Sequence, residues 1–222
     1  MARTTMNTEA QHLRLLTWLS PAFPVGAFSY SHGLETAIRE GAVRDAEGLS
    51  AWIAGLIEHG SGWTDAVLFK AAHDAAGDPI ALADVVELAE ALAPSLERRR
   101  ESLGQGEAFL IAARAWGPQP LSGAVPYCTA VGAVCGAAGI ALETTLTAWL
   151  HGFAANLVSV AVRAVPLGQT DGVAVIAELE PIVLGAAARA AKSSLNDLGS
   201  AAILCDIAAM RHETLGVRLF IS

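Results

Sequence analysis

The sequence predicts an all-α, single-domain bundle of about eight to ten helices, and three observations support this fold class. Alanine, the best helix former, accounts for 45 of the 222 residues. Apolar residues recur at helical spacing between capping residues, prolines and glycines along most of the chain. No strand-like alternation of useful length precedes the C-terminal segment. We therefore expect one domain over residues 1–222, with a mobile N-terminus at 1–8 and an interaction tail at 214–222.

The first predicted helix covers residues 8–19, where Leu13, Leu16 and Leu19 recur at helical spacing. A Ser-Pro pair ends this helix, and an apolar loop containing a second proline follows. A short helix then runs to Gly41, because glycine readily adopts the left-handed conformation that stops a helix.

Capping residues mark the next helices. Asp45 can cap a helix that ends at His59, and Thr64 can cap its successor. Asp78, followed by proline, is a start signal for a further helix. That helix carries one apolar stripe, formed by Leu82, Val85, Val86, Ala89 and Leu92.

The remaining helices are longer, and those of the second half are more apolar. A helix over 96–116 is followed, after a Pro-rich connection, by a helix from Leu146 that is apolar on most sides and should lie at the centre of the bundle. A helix over 172–191 contains Pro181, which predicts a kink or break, and a last helix covers about 201–213.

Charge and motif content exclude several functions. A net charge of −8 with a pI near 5.2 argues against a nucleic-acid binder. Neither of the two lysines, Lys70 and Lys192, follows the glycine that a phosphate-binding P-loop requires, so the chain is not a P-loop NTPase. Gly104 and Gly106 resemble part of a dinucleotide fingerprint, but they lie in a helical pattern and are expected to let helices approach closely.

Metal binding and catalysis have little support in the sequence. The six histidines include no pair four residues apart, and the three cysteines form no Cys-x-x-Cys motif. The three cysteines are expected to be buried, inert thiols. A small helical hydrolase using Ser29 or His32 stays an alternative, although no strand–turn–helix context surrounds these residues.

A membrane-associated helical protein is the other alternative. The apolar run 128–142 is too short to cross a bilayer, and the run 144–162 is long enough but contains His151 and Asn156. No targeting segment is recognisable at the start of the sequence, which predicts a cytoplasmic protein.

Two segments have features that folding alone does not require. Residues 20–35 form an apolar, proline-fixed loop that ends in a tyrosine and a carboxylate. The C-terminal segment is unusually apolar for a chain end and contains Leu215, Leu219 and Phe220. Its apolar side chains must be buried against their own domain or against another protein.

These segments resemble the urease accessory protein UreF family. Residues 20–35, SPAFPVGAFSYSHGLE, are similar to that family's S-P-x-x-P-V-G-x-F-S-Y-S-x-G-L-E signature. Residues 163–169, RAVPLGQ, resemble the family's segment after its long central helix, and residues 206–220 resemble its closing D-I-x-x-M-R-H-E-T pattern with a final R-L-F.

The resemblance implies an all-α chaperone or scaffold for nickel insertion that has no catalytic activity or tightly bound cofactor of its own. Its implied partners are a UreD-type protein (also called UreH), a UreG-type GTPase and apo-urease, and the family usually forms homodimers. Nickel would be cargo in transit, and the chain would gate its GTP-dependent delivery.

The resemblance also implies interaction residues. Arg211, His212 and the tail, including Leu215, Leu219 and Phe220, are expected to contact the UreD-type partner. Three further residues are candidates for the GTPase-facing or dimer surface: Tyr30, Glu35 and Gln169. Glu35→Ala is accordingly expected to alter urease activation more than stability.

Overall fold

The computed structural model describes residues 8–222, which form ten α-helices and no β-strand, so the predicted all-α class is confirmed. The expected mobile N-terminus lies outside the described residues except for Thr8, the first residue of α1. The helices are α1 Thr8–Trp18, α2 Leu34–Arg39, α3 Ala46–His59, α4 Ser61–Asp74, α5 Pro79–Ala91, α6 Leu96–Ala113, α7 Tyr127–Ala137, α8 Leu142–Ala164, α9 Gln169–Ala190 and α10 Ile203–His212.

Helix α8 lies in the core, as expected, and packs against α9 on one side and against α2, α3 and α4 elsewhere. Helices α4 and α7 pack most extensively against each other. A Cβ atom added to Gly132 would lie 2.4 Å from the Phe69 carbonyl oxygen, and one added to Gly136 would lie 2.2 Å from that of His73. The small residues of α7 therefore allow the two backbones to touch. The apolar run 128–142, which was too short to cross a bilayer, contains most of this buried helix.

Several predicted helix ends are confirmed by their caps. The Asp45 carboxylate accepts a hydrogen bond from the Gly48 backbone at 2.8 Å, and the Asp78 carboxylate accepts two at the start of α5. Gly41 has a φ of 75°, the left-handed conformation expected of a helix stop. Thr64 is not a cap, because α4 begins three residues earlier at Ser61.

Two predicted apolar faces are wrong in part. In α1, Leu13 and Leu16 are exposed, whereas Leu15 and Trp18 are buried. The indole of Trp18 packs edge-on against Phe109, so the largest side chain of the helix determines which face turns inward. In α5, Leu92 follows the last helical residue and is partly exposed.

Helix α9 continues through Pro181, so the predicted break does not occur. Val175, Leu179 and Val183 are buried on one side of this helix, while Pro181 is exposed. Packing on both sides of the proline outweighs the lost backbone hydrogen bond.

Among the described residues, α8 is the one helix whose length and composition would suit a membrane span. Half of its most apolar window is buried inside the bundle, as in the core helix of a globular domain.

Candidate partner-docking site

The loop at 20–35 and the C-terminal tail at 214–222, which are far apart in sequence, lie side by side in the structure. The Ile221 N–H donates to the Ser29 carbonyl at 2.8 Å, and the Ser31 N–H donates to the Ser222 carbonyl at 2.6 Å. The Ser31 hydroxyl donates to the same Ser222 oxygen. The tail is thus fixed by backbone hydrogen bonds, as an additional strand would be, although neither segment forms a regular strand.

Helix α10 reaches this site by a close approach to Gly33. Gly33 has a φ of 78°, and a Cβ atom there would lie 2.6 Å from the Ala209 backbone nitrogen. A side chain at this position would be strained by the left-handed conformation and would also collide with α10. Gly33 is therefore the point at which α2 and α10 pack.

Glu35 binds the tail from the first turn of α2. Its side chain is 1% exposed, and its oxygens accept hydrogen bonds from the backbone N–H groups of Leu219 at 2.9 Å and Phe220 at 3.0 Å. Burial opposes its charge, but these donors, together with His212 and the Arg39 guanidinium, outweigh burial and lower the pKa of Glu35. Glu35 is therefore a buried carboxylate that holds the tail backbone.

His212, near the end of α10, joins Glu35 to α6. Its fully buried ring places Nε2 3.2 Å from a Glu35 carboxylate oxygen and Nδ1 2.7 Å from a Glu97 carboxylate oxygen. The Arg218 guanidinium of the tail pairs with the other oxygen of Glu97. The glutamates of α2 and α6 thus meet α10 and the tail around a single imidazole.

A third buried glutamate, Glu101, contacts the last residue of the chain. It accepts a hydrogen bond from the Ser222 hydroxyl at 2.5 Å and pairs with Arg98 and with His32 Nε2. Burial opposes the charge on Glu101, but Arg98 and His32 lower its pKa far below the ordinary value. Burial and the nearby Arg98 lower the pKa of His32, so its neutral ring donates to Glu101.

Above this carboxylate cluster of Glu35, Glu97 and Glu101, the chain presents an apolar C-terminal surface. The outer side of α10 and alternate residues of the tail carry exposed large apolar side chains: Ile203, Leu204, Ile207, Met210, Val217, Leu219 and Ile221. Phe220 and Ser222, which alternate with Leu219 and Ile221 along the tail, are buried beneath this surface. Exposed large apolar side chains in this number over a short stretch of chain are typical of a protein interaction site.

The structure divides the residues expected to contact the UreD-type protein into an inner and an outer group. His212 and Phe220 are buried, and the Phe220 ring lies 4.8 Å from the Arg163 guanidinium. Arg211 and Leu219 are exposed, with Arg211 paired to Glu40, and Leu215 is partly buried. The inner group holds the tail in place, and the outer group faces solvent.

The residues expected at a GTPase-facing or dimer surface do not form one group. Tyr30 is partly buried, and its carbonyl faces the Asn156 side chain of α8. Gln169 is exposed at the first turn of α9, whereas Glu35 lies inside the molecule. Any effect of Glu35 on a partner would therefore pass through the tail that it holds.

Neither the outer side of α10 nor the glutamates of α6 were predicted from the sequence as parts of the site. The apolar outer side of α10 could have been predicted, because Ile203, Ile207 and Met210 recur at helical spacing. No sequence pattern indicates that Glu97 and Glu101 are buried, because they belong to a highly charged stretch that is typical of a solvent-exposed helix.

A cleft of about 470 Å³ lies beside this site, between α1 and α8, and its lining is mostly apolar. His32 and Asp65 line its polar part. Burial raises the pKa of Asp65 to about 6. Ser29 does not pair with His32, whose Nε2 contacts Glu101 and whose Nδ1 has no protein partner, so the nucleophile–base pair of a hydrolase is not formed by these residues.

No group of three or more His, Cys, Asp or Glu side chains within residues 8–222 has the arrangement of a metal site. Cys128, Cys135 and Cys205 are free and buried, as expected. Burial raises the pKa of all three thiols, to about 11 for Cys205.

Comparison with known proteins places the chain in a family. Residues 43–180 match the family model for UreF. The chain is 53% identical over 211 residues to the urease accessory protein UreF of Rhizobium etli (strain CIAT 652), covering 94% of this chain and 95% of that protein. It is 49% identical to its counterpart in Mesorhizobium japonicum, over 94% and 95% of the two chains.

Urease accessory protein UreF 1 of Brucella anthropi is 48% identical over 98% of this chain and 96% of its own length. That alignment leaves out about 2% of this chain, so it includes the loop at 20–35 and at least part of the tail at 214–222. The chain belongs to the UreF family of urease accessory proteins.

Proposed function

We propose that this protein is a scaffold for nickel insertion that bridges a UreD-type protein and a UreG-type GTPase during the maturation of apo-urease. It gates the GTP-dependent delivery of nickel, which is cargo rather than a resident cofactor. It acts in the cytoplasm, as a homodimer, and carries out no catalysis of its own.

The observation that carries this proposal is the C-terminal surface. Leu204 of α10 and Leu219 of the tail are 74% and 68% exposed, and both belong to the set of exposed apolar side chains described above. Burying one such side chain against a partner stabilises a complex by roughly 1.5–3 kcal/mol. The surface therefore suits a lasting protein partner, and we assign it to the UreD-type protein.

The carboxylate cluster supports this assignment, because it explains how the C-terminal surface is held in place. Glu35, which also contacts His212, holds the backbone of the tail at Leu219 and Phe220, and the side chains of Val217, Leu219 and Ile221 are exposed. A surface that is ordered before binding loses less conformational entropy when the partner docks.

The GTPase or the second copy of the chain would bind elsewhere. Gln169 is exposed at the start of α9, and Tyr30 is partly accessible beside the exposed ring of Phe28. We assign Tyr30 and Gln169 to one of these two contacts, and Glu35 to an indirect role through the tail.

The test is co-purification of the chain with the UreD-type and UreG-type proteins of its own organism. Leu204→Asp and Leu219→Asp place a charge in the C-terminal surface and are expected to lower the recovery of the UreD-type protein at least tenfold. Ile80→Asp is the matched control, because Ile80 is 78% exposed in the first turn of α5, where a carboxylate suits the helix dipole.

Removal of residues 208–222 is a poor test of the same idea. It would take away the buried half of α10 and leave Glu35 and Glu97 without their partners, so loss of the fold would imitate loss of binding. If the two aspartate variants fold and retain the UreD-type protein as well as Ile80→Asp does, the surface is not its docking site.

A further inference from the structure

Arg163 lies where the last turn of α8 meets both the loop at 20–35 and the tail at 214–222. It is the first residue of the segment 163–169, of which the proposed function uses only Gln169. The residue is exposed, and its guanidinium contacts one residue of the loop and one residue of the tail. Three distant parts of the chain therefore meet at this side chain.

The guanidinium uses different parts of its plane for these contacts. Its Nη2 atom donates a hydrogen bond to the Phe28 carbonyl of the loop at 2.7 Å. Its central carbon lies 4.8 Å from the centre of the Phe220 ring of the tail, within the range of a cation–π contact. Its Nε atom donates to the Ser159 carbonyl, one turn earlier in α8, at 3.1 Å. A planar guanidinium can donate at its edge and stack with its face at the same time.

Both contacts adjoin a hydrogen bond that joins the loop to the tail. The Ile221 N–H donates to the Ser29 carbonyl at 2.8 Å. Phe28 directly precedes the acceptor residue, and Phe220 directly precedes the donor residue. Arg163 therefore holds the chain beside this hydrogen bond on both of its sides.

We propose that Arg163 is a positioning residue that holds the loop and the tail together from α8, through the Phe28 carbonyl and the Phe220 ring. It thereby orders the backbone next to Leu219 and Ile221, two exposed residues of the C-terminal surface. A surface that is held in place before binding loses less conformational entropy on docking. The benefit for docking of the UreD-type protein rests on the proposed function above, whereas the attachment of the tail is a property of the isolated chain.

The test is amide hydrogen exchange of the isolated full chain, followed near neutral pH in peptides that cover 213–222. Arg163→Gln removes the charge and the planar fork, and exchange in these peptides is expected to become about three- to tenfold faster. The change is limited because the contacts of the tail with Glu35 and between Arg218 and Glu97 remain. Exchange at the wild-type rate in Arg163→Gln would overturn the proposal.

Arg189→Gln is the matched control. The Arg189 guanidinium lies 4.4 Å from the centre of the Trp63 ring and donates to the Glu58 carbonyl at 2.9 Å. The variant therefore removes the same two kinds of contact, with partners that belong to neither the loop nor the tail. It should leave exchange in 213–222 unchanged. An equal acceleration in both variants would mean a general loosening of the fold and would refute the role of Arg163.

A double-mutant cycle with Phe220→Leu distinguishes direct positioning from a structural effect. Leucine keeps an apolar side chain at this position but removes the ring under the guanidinium. The acceleration caused by Arg163→Gln is expected to be at least about twofold smaller in the Phe220→Leu background than in the wild type, because the two residues act through one contact. The same acceleration in both backgrounds would show that Arg163 does not act through the ring.

If Phe220→Leu does not fold, the comparison of Arg163→Gln with Arg189→Gln still decides the question. These experiments contain no partner, so their failure leaves the docking proposal standing. Failure of the co-purification test likewise leaves the role of Arg163 standing as a property of the isolated chain.

Discussion

Glu35 connects the two segments on which the resemblance to the UreF family depends. From the sequence, a carboxylate after a small-residue turn suggested a polar contact with a partner. In the structure it is buried against the tail and accepts two backbone N–H groups in addition to its contacts with His212 and Arg39. Sequence alone could not reveal this, because His212, Leu219 and Phe220 lie more than 170 residues away from Glu35 along the chain.

Glu35→Gln is therefore expected to destabilise the chain by about 3 kcal/mol at neutral pH, since it removes the buried carboxylate that pairs with Arg39 and accepts the N–H groups of Leu219 and Phe220. The native pKa of Glu35 lies below its ordinary value of 4.5, so its stabilisation is present above that pH and is lost as the pH falls through the native pKa. Urea denaturation at several pH values measures the difference.

The gap between wild type and Glu35→Gln should shrink as the pH is lowered below 4.5. Glu178→Gln serves as the control, because Glu178 is exposed in the middle of α9 and its loss should change stability by less than about 0.5 kcal/mol. Equal stability of Glu35→Gln and wild type at neutral pH would mean that the charge of Glu35 does not hold the tail.

At the scale of elements, two glycines of α6, Gly104 and Gly106, show which packing contacts a sequence can predict. Gly104 and Gly106 were both expected to allow close helix packing. A Cβ atom at Gly106 would lie 1.8 Å from the Val125 carbonyl oxygen, whereas nothing lies within 4 Å of one at Gly104. The prediction is confirmed for Gly106 and wrong for Gly104, because spacing alone does not determine which face a neighbour covers.

These two glycines form a matched pair for mutation. Gly106→Ala forces backbone against backbone and is expected to cost about 1–3 kcal/mol of unfolding free energy. Gly104→Ala meets no neighbour in a helix interior and is expected to stabilise by about 0.5–1 kcal/mol. Thermal denaturation of both variants tests the packing of α6, and similar melting temperatures for the two would contradict it.

The same limit explains the reversed face of α1. Apolar residues occupy both sides of this helix, so periodicity could not choose between Leu16 and Trp18. Capping chemistry was a better guide, because the hydrogen bonds of Asp45 and Asp78 are local and need no information from distant helices. Helix ends were therefore better predicted than buried faces.

For the whole molecule, the all-α class, the central helix and the family were all accessible from the sequence, because composition, periodicity and two long motifs carry them. The carboxylate cluster was not, since its members lie on α2 and α6 and meet only when α10 and the tail fold back over them. Because α10 and the tail fold over this cluster, the C-terminal surface is held in place while its apolar side chains stay exposed.

The central claim is that the C-terminal surface is where the UreD-type protein docks. Hydroxyl-radical footprinting of the chain, alone and in complex with that protein, tests it most directly. We predict that oxidation of Met210, Ile207 and Leu219, which are exposed in the free chain, falls several-fold in the complex. Exposed residues remote from the surface, such as Ile80, should react equally in both states. Unchanged oxidation of Met210 and Leu219 in a complex that protects some other face would contradict the claim.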